Sequence, residues 1–280
     1  MNENLHKAKR MKKDEYYTAM NEIEAELANY DFKGKKVYLP CDDYRNSNFW
    51  RYFYDNFDKL GLESLTTTNY NNGEGAFSAV YDGFSLKVEP LYGDGDFRSS
   101  EAEFLKGECD VIVTNPPFSL FRQFVDWLGD KPFIVIGNKL AFTYHNVIEQ
   151  VMHNKVWSGC RSFNGDMWFY DPDGELVNVG GCWITNVDHS RRHIPMELST
   201  CYSPERYCKY DNADAIDIKR LKDIPKDYDG VMGVPLTFLN KYCPEQFDIV
   251  GYLYGEDGRH LQLDGKEAFF RILVKKRPAC

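Results

Sequence analysis

"CDVIVTNPPFSLFRQFVDWLGDKPFIVIGN", residues 109–138, carries the architecture of this chain. Its first segment is a continuous apolar run that ends in polar residues, the pattern of a strand buried on both faces of a parallel sheet. "FSLFRQFVDWLGD" follows as an amphipathic crossover helix, and "KPFIVIGN" reads as the next buried strand. Strand, helix and strand in that order, with both strands buried, predict an α/β fold built on a doubly wound, mostly parallel sheet. Such sheets bind their ligands at the carboxyl ends of the strands. Asn115-Pro116-Pro117-Phe118 stands at one of those ends.

The flanking sequence supports this order. "NEIEAELANY" (21–30) has helical spacing of Ile23, Leu27 and Tyr30, and "GKKVYLP" (34–40) reads as a short strand closed by proline. "SNFWRYFYDNFDKLG" (47–61) predicts one helix with Ser47 as N-cap, an aromatic face of Phe49, Trp50, Phe53 and Phe57, and Gly61 at its C-terminus. A strand is expected in "LESLTTTN" (62–69), a loop and hairpin in 70–93, and late strands in "QFDIVGYLY" (246–254) and "AFFRILVKK" (268–276).

The whole-chain numbers narrow the functional classes. With 280 residues the chain can bury a sizeable core, as one large α/β domain or as a core with an appendage. No apolar run approaches the roughly 18 residues needed to span a bilayer, and the charged N-terminus lacks an apolar signal segment, so a cytoplasmic protein without membrane association is expected. The eight cysteines are scattered, without a C-x-x-C pair, and reduced thiols are expected. His189 and His193 sit four apart, but no glutamate follows the first and Pro195 comes too soon for a stable helix. No metal site is therefore expected. Neither a P-loop nor a G-x-G-x-x-G fingerprint is present. A net charge of −9 argues mildly against nucleic acid, yet basic clusters at 6–13, 191–193, 219–222 and 275–277 leave a basic groove open.

The Asn-Pro-Pro-Phe turn has a chemical reading of its own. Proline has no backbone N–H and a fixed φ, so the turn is rigid. The Asn115 side-chain oxygen and the Pro116 carbonyl can serve as two acceptors aimed at one –NH₂ group, with the Phe118 ring beside them for stacking. Such a site fits a planar heterocyclic amine. An exocyclic amine on adenine is a poor nucleophile because its lone pair is delocalised into the ring. Two acceptors pulling on its hydrogens favour the pyramidal form and bind more strongly as positive charge develops on nitrogen, which is transition-state stabilisation.

A strand ending in Asn/Asp/Ser-Pro-Pro-aromatic resembles the signature of amino-methyltransferases that use S-adenosylmethionine. "DEYYT" (14–18), "LPCDDYRNSNFWRYF" (39–53), "CWITNVDH" (182–189), "YDNADAIDI" (210–218) and "IPKDYDGVMGVPLTFLNKYCPEQFDIVG" (224–251) resemble the EcoRI-type adenine-specific DNA methyltransferase family. The resemblance implies a Rossmann-like S-adenosylmethionine-dependent methyltransferase fold over residues 1–189 and a target-recognition region over 190–280, partly packed on the core. It implies methyl transfer to the 6-amino group of adenine in double-stranded DNA after the base is flipped out of the duplex.

Residue by residue, Asn115, Pro116, Pro117 and Phe118 would form the catalytic loop. Tyr17 and Thr18 resemble the motif along the methionine part of the cofactor. Asp42 and Asp43 stand in the loop after the first strand, to hold the methionine ammonium or a ribose hydroxyl, or to cap a turn. In "YGDGDFRS", Asp94 and Asp96 with Phe97 resemble the motif that meets the cofactor's adenine, although Gly-Asp-Gly-Asp is also good turn chemistry. Trp183 is either a wall of the target base or a core tryptophan, and Arg191, Arg192, Lys219 and Arg220 are DNA-contact candidates. The loop at 39–49 departs from most methyltransferases in having no glycine, a departure shared by the EcoRI branch. A cognate restriction endonuclease acting separately is compatible with this resemblance. The same loop also serves enzymes that methylate RNA amines or protein glutamine, which is the alternative reading.

Overall fold

The computed structural model describes residues 17–71, 75–161, 167–171 and 173–278. In chain order its elements begin with β1 (Tyr17–Thr18), α1 (Met20–Leu27), β2 (Lys36–Leu39), α2 (Asn48–Asp55), α3 (Phe57–Leu60), β3 (Ser64–Thr68), β4 (Phe77–Tyr81) and β5 (Leu86–Pro90). Next come α4 (Ser100–Glu108), β6 (Val111–Thr114), α5 (Phe121–Leu128), β7 (Phe133–Asn138), α6 (His145–Met152), β8 (Trp157–Ser158), β9 (Trp168–Tyr170), β10 (Leu176–Asn178) and β11 (Gly181–Thr185). The remaining strands are β12 (Ala215–Asp217), β13 (Val231–Pro235), β14 (Phe247–Tyr252), β15 (Gln262–Leu263), β16 (Lys266–Glu267) and β17 (Arg271–Lys276).

The fold is mixed α/β around an eight-stranded sheet in the order β5-β4-β3-β2-β6-β7-β11-β8. Strands β3, β2, β6 and β7 are mutually parallel, and the parallel part ends there. The hairpin β4–β5 adds antiparallel on one side, and β11 pairs antiparallel with β7 on the other. The central strands are those the apolar runs predict: every residue of β6 is buried, as are Phe133 to Gly137 of β7. Helix α5 buries Phe121, Phe124, Val125 and Leu128, spacing that puts all of them on one face. Gly137 lets this helix approach the sheet, because a Cβ there would meet the Phe121 ring at 2.7 Å.

Local signals and structure agree closely at the start of α2, where the Ser47 hydroxyl accepts from the backbone N–H of Phe49 (3.0 Å) and Trp50 (3.2 Å). The single helix expected over 47–61 is instead two. It breaks at Asn56, whose φ of −111° and ψ of 15° leave the helical region and whose side-chain amide donates to the Tyr52 carbonyl at 2.8 Å. Gly61, at φ 65°, ends the second piece as expected. The crossover helix also starts later than its sequence, after a 3-10 turn over Phe118–Leu120, because Pro117 is held extended at φ −55°, ψ 124°.

The chain divides into two compact units, Met1–Val147 with Ser158–Asp188, and Ile148–Trp157 with His189–Cys280. The second is built on a four-stranded sheet in the order β12-β13-β17-β14. Inside it Asp217 accepts from Arg271 Nε at 2.9 Å and from the Tyr210 hydroxyl at 2.7 Å, so its buried charge is paired. Among the described residues no helix is long and apolar enough to cross a membrane.

Candidate active site

At the carboxyl ends of β2, β3 and β6 the first unit opens into a cavity of about 750 Å³, within the size range of small-molecule sites. Short stretches line it: Tyr17–Thr18, residues 40–43 and 45–49, 69–71, 95–98, and 115–120. The expected catalytic and cofactor residues thus converge there, with one exception. Asp94 is exposed outside the lining, where its carboxylate accepts from the Asp96 N–H at 3.0 Å and shapes the turn. Trp183 does not line it either.

The Asn115-Pro116-Pro117-Phe118 turn forms one wall. Pro116 is buried, Asn115 and Phe118 are half-buried, and the Phe118 ring stands edge-on to Phe169 with centroids 6.2 Å apart. The ring is thereby held upright on the core.

The adjoining wall is the glycine-free loop after β2, the strand beside β6, and a carboxylate holds it in place of glycines. Asp42 accepts from the Ser47 hydroxyl and from the Thr114 hydroxyl, each at 2.6 Å, and its backbone carbonyl accepts from the Thr67 hydroxyl. Burial pushes the Asp42 carboxyl up to about 6, against the opposing pull of the Ser47 and Thr114 hydroxyls. Both oxygens of Asp42 are therefore engaged within the protein.

Asp43 and Asp96 differ from Asp42 in being gripped by arginine. Arg45 Nε lies 2.9 Å from Asp43 Oδ1 and its Nη2 2.5 Å from Oδ2, while Arg98 makes the same fork on Asp96 at 2.8 and 2.5 Å. Burial pushes Asp43 up, but the Arg45 hydrogen bonds and charge outweigh it and hold the carboxyl below its ordinary range. The Arg98 hydrogen bonds do the same for Asp96 against a smaller burial effect. Phe97, between the second pair, is buried against Phe124 and Trp127 at 5.0 and 5.6 Å. Gly95 is obligatory here: its φ is +77°, and a Cβ would lie 1.9 Å from the Asn69 carbonyl oxygen.

At the cavity lip, Thr18 is 3% exposed, and its hydroxyl has no hydrogen-bond partner among the described residues. Its carbonyl accepts from Asn48 Nδ2 at 2.8 Å, which fixes β1 against the start of α2. A buried hydroxyl left over inside a cavity invites a polar ligand atom.

The remaining candidates have other surroundings. Trp183, in β11, is 1% exposed and packs edge-on against Phe49 at 5.9 Å, as a core residue. Arg191, Arg192, Lys219 and Arg220 belong to the second unit. Arg192 is buried, with its guanidinium 3.6 Å from the centre of the Trp157 ring and bonded to Asn154. Arg191 lies 3.5 Å from Asn240 Oδ1, Arg220 pairs with Asp223 at 2.8 Å, and Lys219 is exposed. His193 pairs with Glu245 at 2.9 Å.

Sequence reasoning missed Ser47 as an acid partner, and also Thr114, Arg45 and Arg98. One signal could have found the arginines: Asp-aromatic-Arg occurs twice, as Asp43-Tyr44-Arg45 and Asp96-Phe97-Arg98. An arginine two residues after an aspartate can fold back onto it.

The sequence has close relatives over its whole length. Type II methyltransferase M.EcoRI of Escherichia coli is 40% identical, with 99% of this chain and 97% of the relative covered. Type II methyltransferase M.MpnI of Mycoplasma pneumoniae is 34% identical over 98% of both chains, and M.MgeORF184P of Mycoplasma genitalium 33% over the same shares. No solved structure gives a significant match. A profile described as adenine-specific methyltransferase EcoRI matches residues 4–89 and 76–270. The chain belongs to the EcoRI-type adenine-specific methyltransferase family.

Proposed function

We propose that this protein is a site-specific DNA methyltransferase that moves a methyl group from S-adenosylmethionine to the exocyclic 6-amino group of adenine. The observation that carries the reading is that Asn115-Pro116-Pro117-Phe118 closes a cavity whose other walls are the two Asp–Arg loops and the unpartnered Thr18 hydroxyl. Four parallel strands with the cavity at their carboxyl ends support a Rossmann-like arrangement for the first unit.

The residues present fit this cofactor. Thr18 offers a hydroxyl for its amino-acid end. Asp43 and Asp96, held ionised, are acceptors suited to an ammonium or ribose hydroxyls, and Phe97 gives an apolar edge beside Asp96. When bound, the cofactor supplies an electrophilic methyl group on a sulfonium.

The protein's own work lies at the amine. Asn115 Oδ1 and the Pro116 carbonyl accept hydrogen bonds from the two amino N–H groups, and Phe118 stacks on the purine after it has been flipped from the duplex. Both acceptors gain strength as charge builds on nitrogen, and no prior deprotonation is needed because the proton becomes acidic only as the methyl arrives, after which the methylated nitrogen releases it to solvent water. The second unit is assigned to DNA recognition, with exposed Lys219 and Arg220 as contacts. Arg192, packed on Trp157, has a structural role.

Methylated adenines mapped in DNA from cells expressing the chain should fall at one short sequence. Asn115→Ala should abolish them and slow transfer by about 10²-fold or more in vitro. Labelled methyl found in ribosomal RNA or protein, and not in DNA, would overturn the substrate assignment.

A further inference from the structure

The strand end that carries Asn115 is tied to the neighbouring loop of the cavity by a side-chain bridge. The ladder between β2 and β6 pairs Val37 with Val111 and Tyr38 with Ile112, and on the other edge of β6 pairing with β7 continues to Thr114. Past Ile112 the β2 side is joined through side chains: the Thr114 hydroxyl donates to Asp42 Oδ2 at 2.6 Å. Asp42 Oδ1 takes the Ser47 hydroxyl at 2.6 Å, and Ser47 in turn caps α2. Thr67 of β3 bonds to the carbonyls of both Leu39 and Asp42. Thr67 and Thr114 are fully buried, Ser47 is 6% exposed and Asp42 8%.

A bridge this deep costs desolvation of a carboxylate, and the neighbour of Thr114 is the residue whose carboxamide must meet the amine. We infer that Thr114, held by Asp42, is a positioning residue that sets where the Asn115 carboxamide stands relative to the cofactor loop. This rests on the amino-methyltransferase reading above. Thr114 does not line the cavity, and Asp42 acts on the turn through it. Hydrogen bonds from α2, β3 and β6 all converge on Asp42 after β2, and so join the catalytic turn to the loop beside it.

Thr114→Val keeps the shape and deletes the hydroxyl, while Thr114→Ser keeps the hydroxyl. Displacements of about 1 Å at a reacting group cost on the order of 10²-fold, so Thr114→Val should lower kcat by about 10- to 100-fold. The DNA KM and the cofactor Kd should stay within about threefold of the parent, and Thr114→Ser should recover most of the loss. Equal kcat for Thr114→Val and parent, or no recovery with Ser, would overturn the inference. So would a loss of activity that simply follows thermal stability across Val, Ser and Ala variants. A readout independent of turnover is the side-chain ¹⁵N–¹H signal of Asn115, which should shift or broaden in Thr114→Val and return in Thr114→Ser. If the parent methylates no amine, the functional reading fails, and that signal still decides whether Thr114 positions Asn115.

Discussion

Replacing Asp42 by asparagine should change how stability depends on pH, in a direction opposite to that of most carboxylates. Burial raises the Asp42 carboxyl from its ordinary 3.8 to about 6 in the folded chain, which corresponds to about 3 kcal/mol. The folded state therefore holds this proton more tightly than the unfolded state. Its contribution is fully present below about pH 3.8 and is lost as pH rises through about 6. Asparagine has nearly the same shape and does not titrate. Asp43 and Asp96 act in the opposite sense, stabilising above their ordinary range and losing that effect as pH falls, but both proteins share them and they cancel in the difference. Urea unfolding of parent and Asp42→Asn at pH 4, 5, 6 and 7 should show the parent losing about 2 to 2.5 kcal/mol of that relative to the variant over this range. A flat difference would mean that the carboxyl titrates alike in both states, a parent that gains on the variant as pH rises would mean that it is stabilised as an ion, and either result would refute the reasoning. A carboxylate that is costly when ionised and is nonetheless placed at the junction of two active-site walls agrees with a role in geometry more than in stability.

Three further outcomes are expected. Thr18→Val should leave stability unchanged or raise it by about 1 kcal/mol, since a buried unsatisfied hydroxyl is removed, while weakening S-adenosylmethionine binding about tenfold by calorimetry. Gly95→Ala forces a side chain into a +77° φ against the Asn69 carbonyl and should cost about 1–3 kcal/mol in thermal unfolding, together with a measurable loss of cofactor affinity. Trp183→Phe should keep kcat within about threefold, because the indole is buried behind Phe49 and does not line the cavity, and change stability by on the order of 1 kcal/mol. A 100-fold rate loss in a well-folded Trp183→Phe would return that residue to the target base.

Much of this was open to inspection in the residues alone, because the signals act over a few positions. The unbroken apolar runs of β6 and β7, the one-sided helix between them, the Ser47 cap and the hairpin at 77–90 are patterns of local sterics and burial, and the structure shows each. The Asn-Pro-Pro-Phe turn belongs with them, since proline fixes its own backbone wherever it stands. The break at Asn56 escaped because the apolar face continues across it. A side chain bonding to its own helix alters the backbone without altering the hydrophobic period.

The partners of buried polar groups lay beyond that range. Asp42 meets a hydroxyl 72 residues away, so nothing beside it in the chain distinguishes a strut from a ligand. Trp183 is equally suited to a base wall or a core, and only its burial behind Phe49, outside the cavity lining, separates the two. Arg192 reads as a free cation until Trp157 and Asn154 are seen around it. Local periodicity states which elements form and where a strand must end. Which side chains share a cavity depends on how those elements stack, and that is a long-range property of the folded chain.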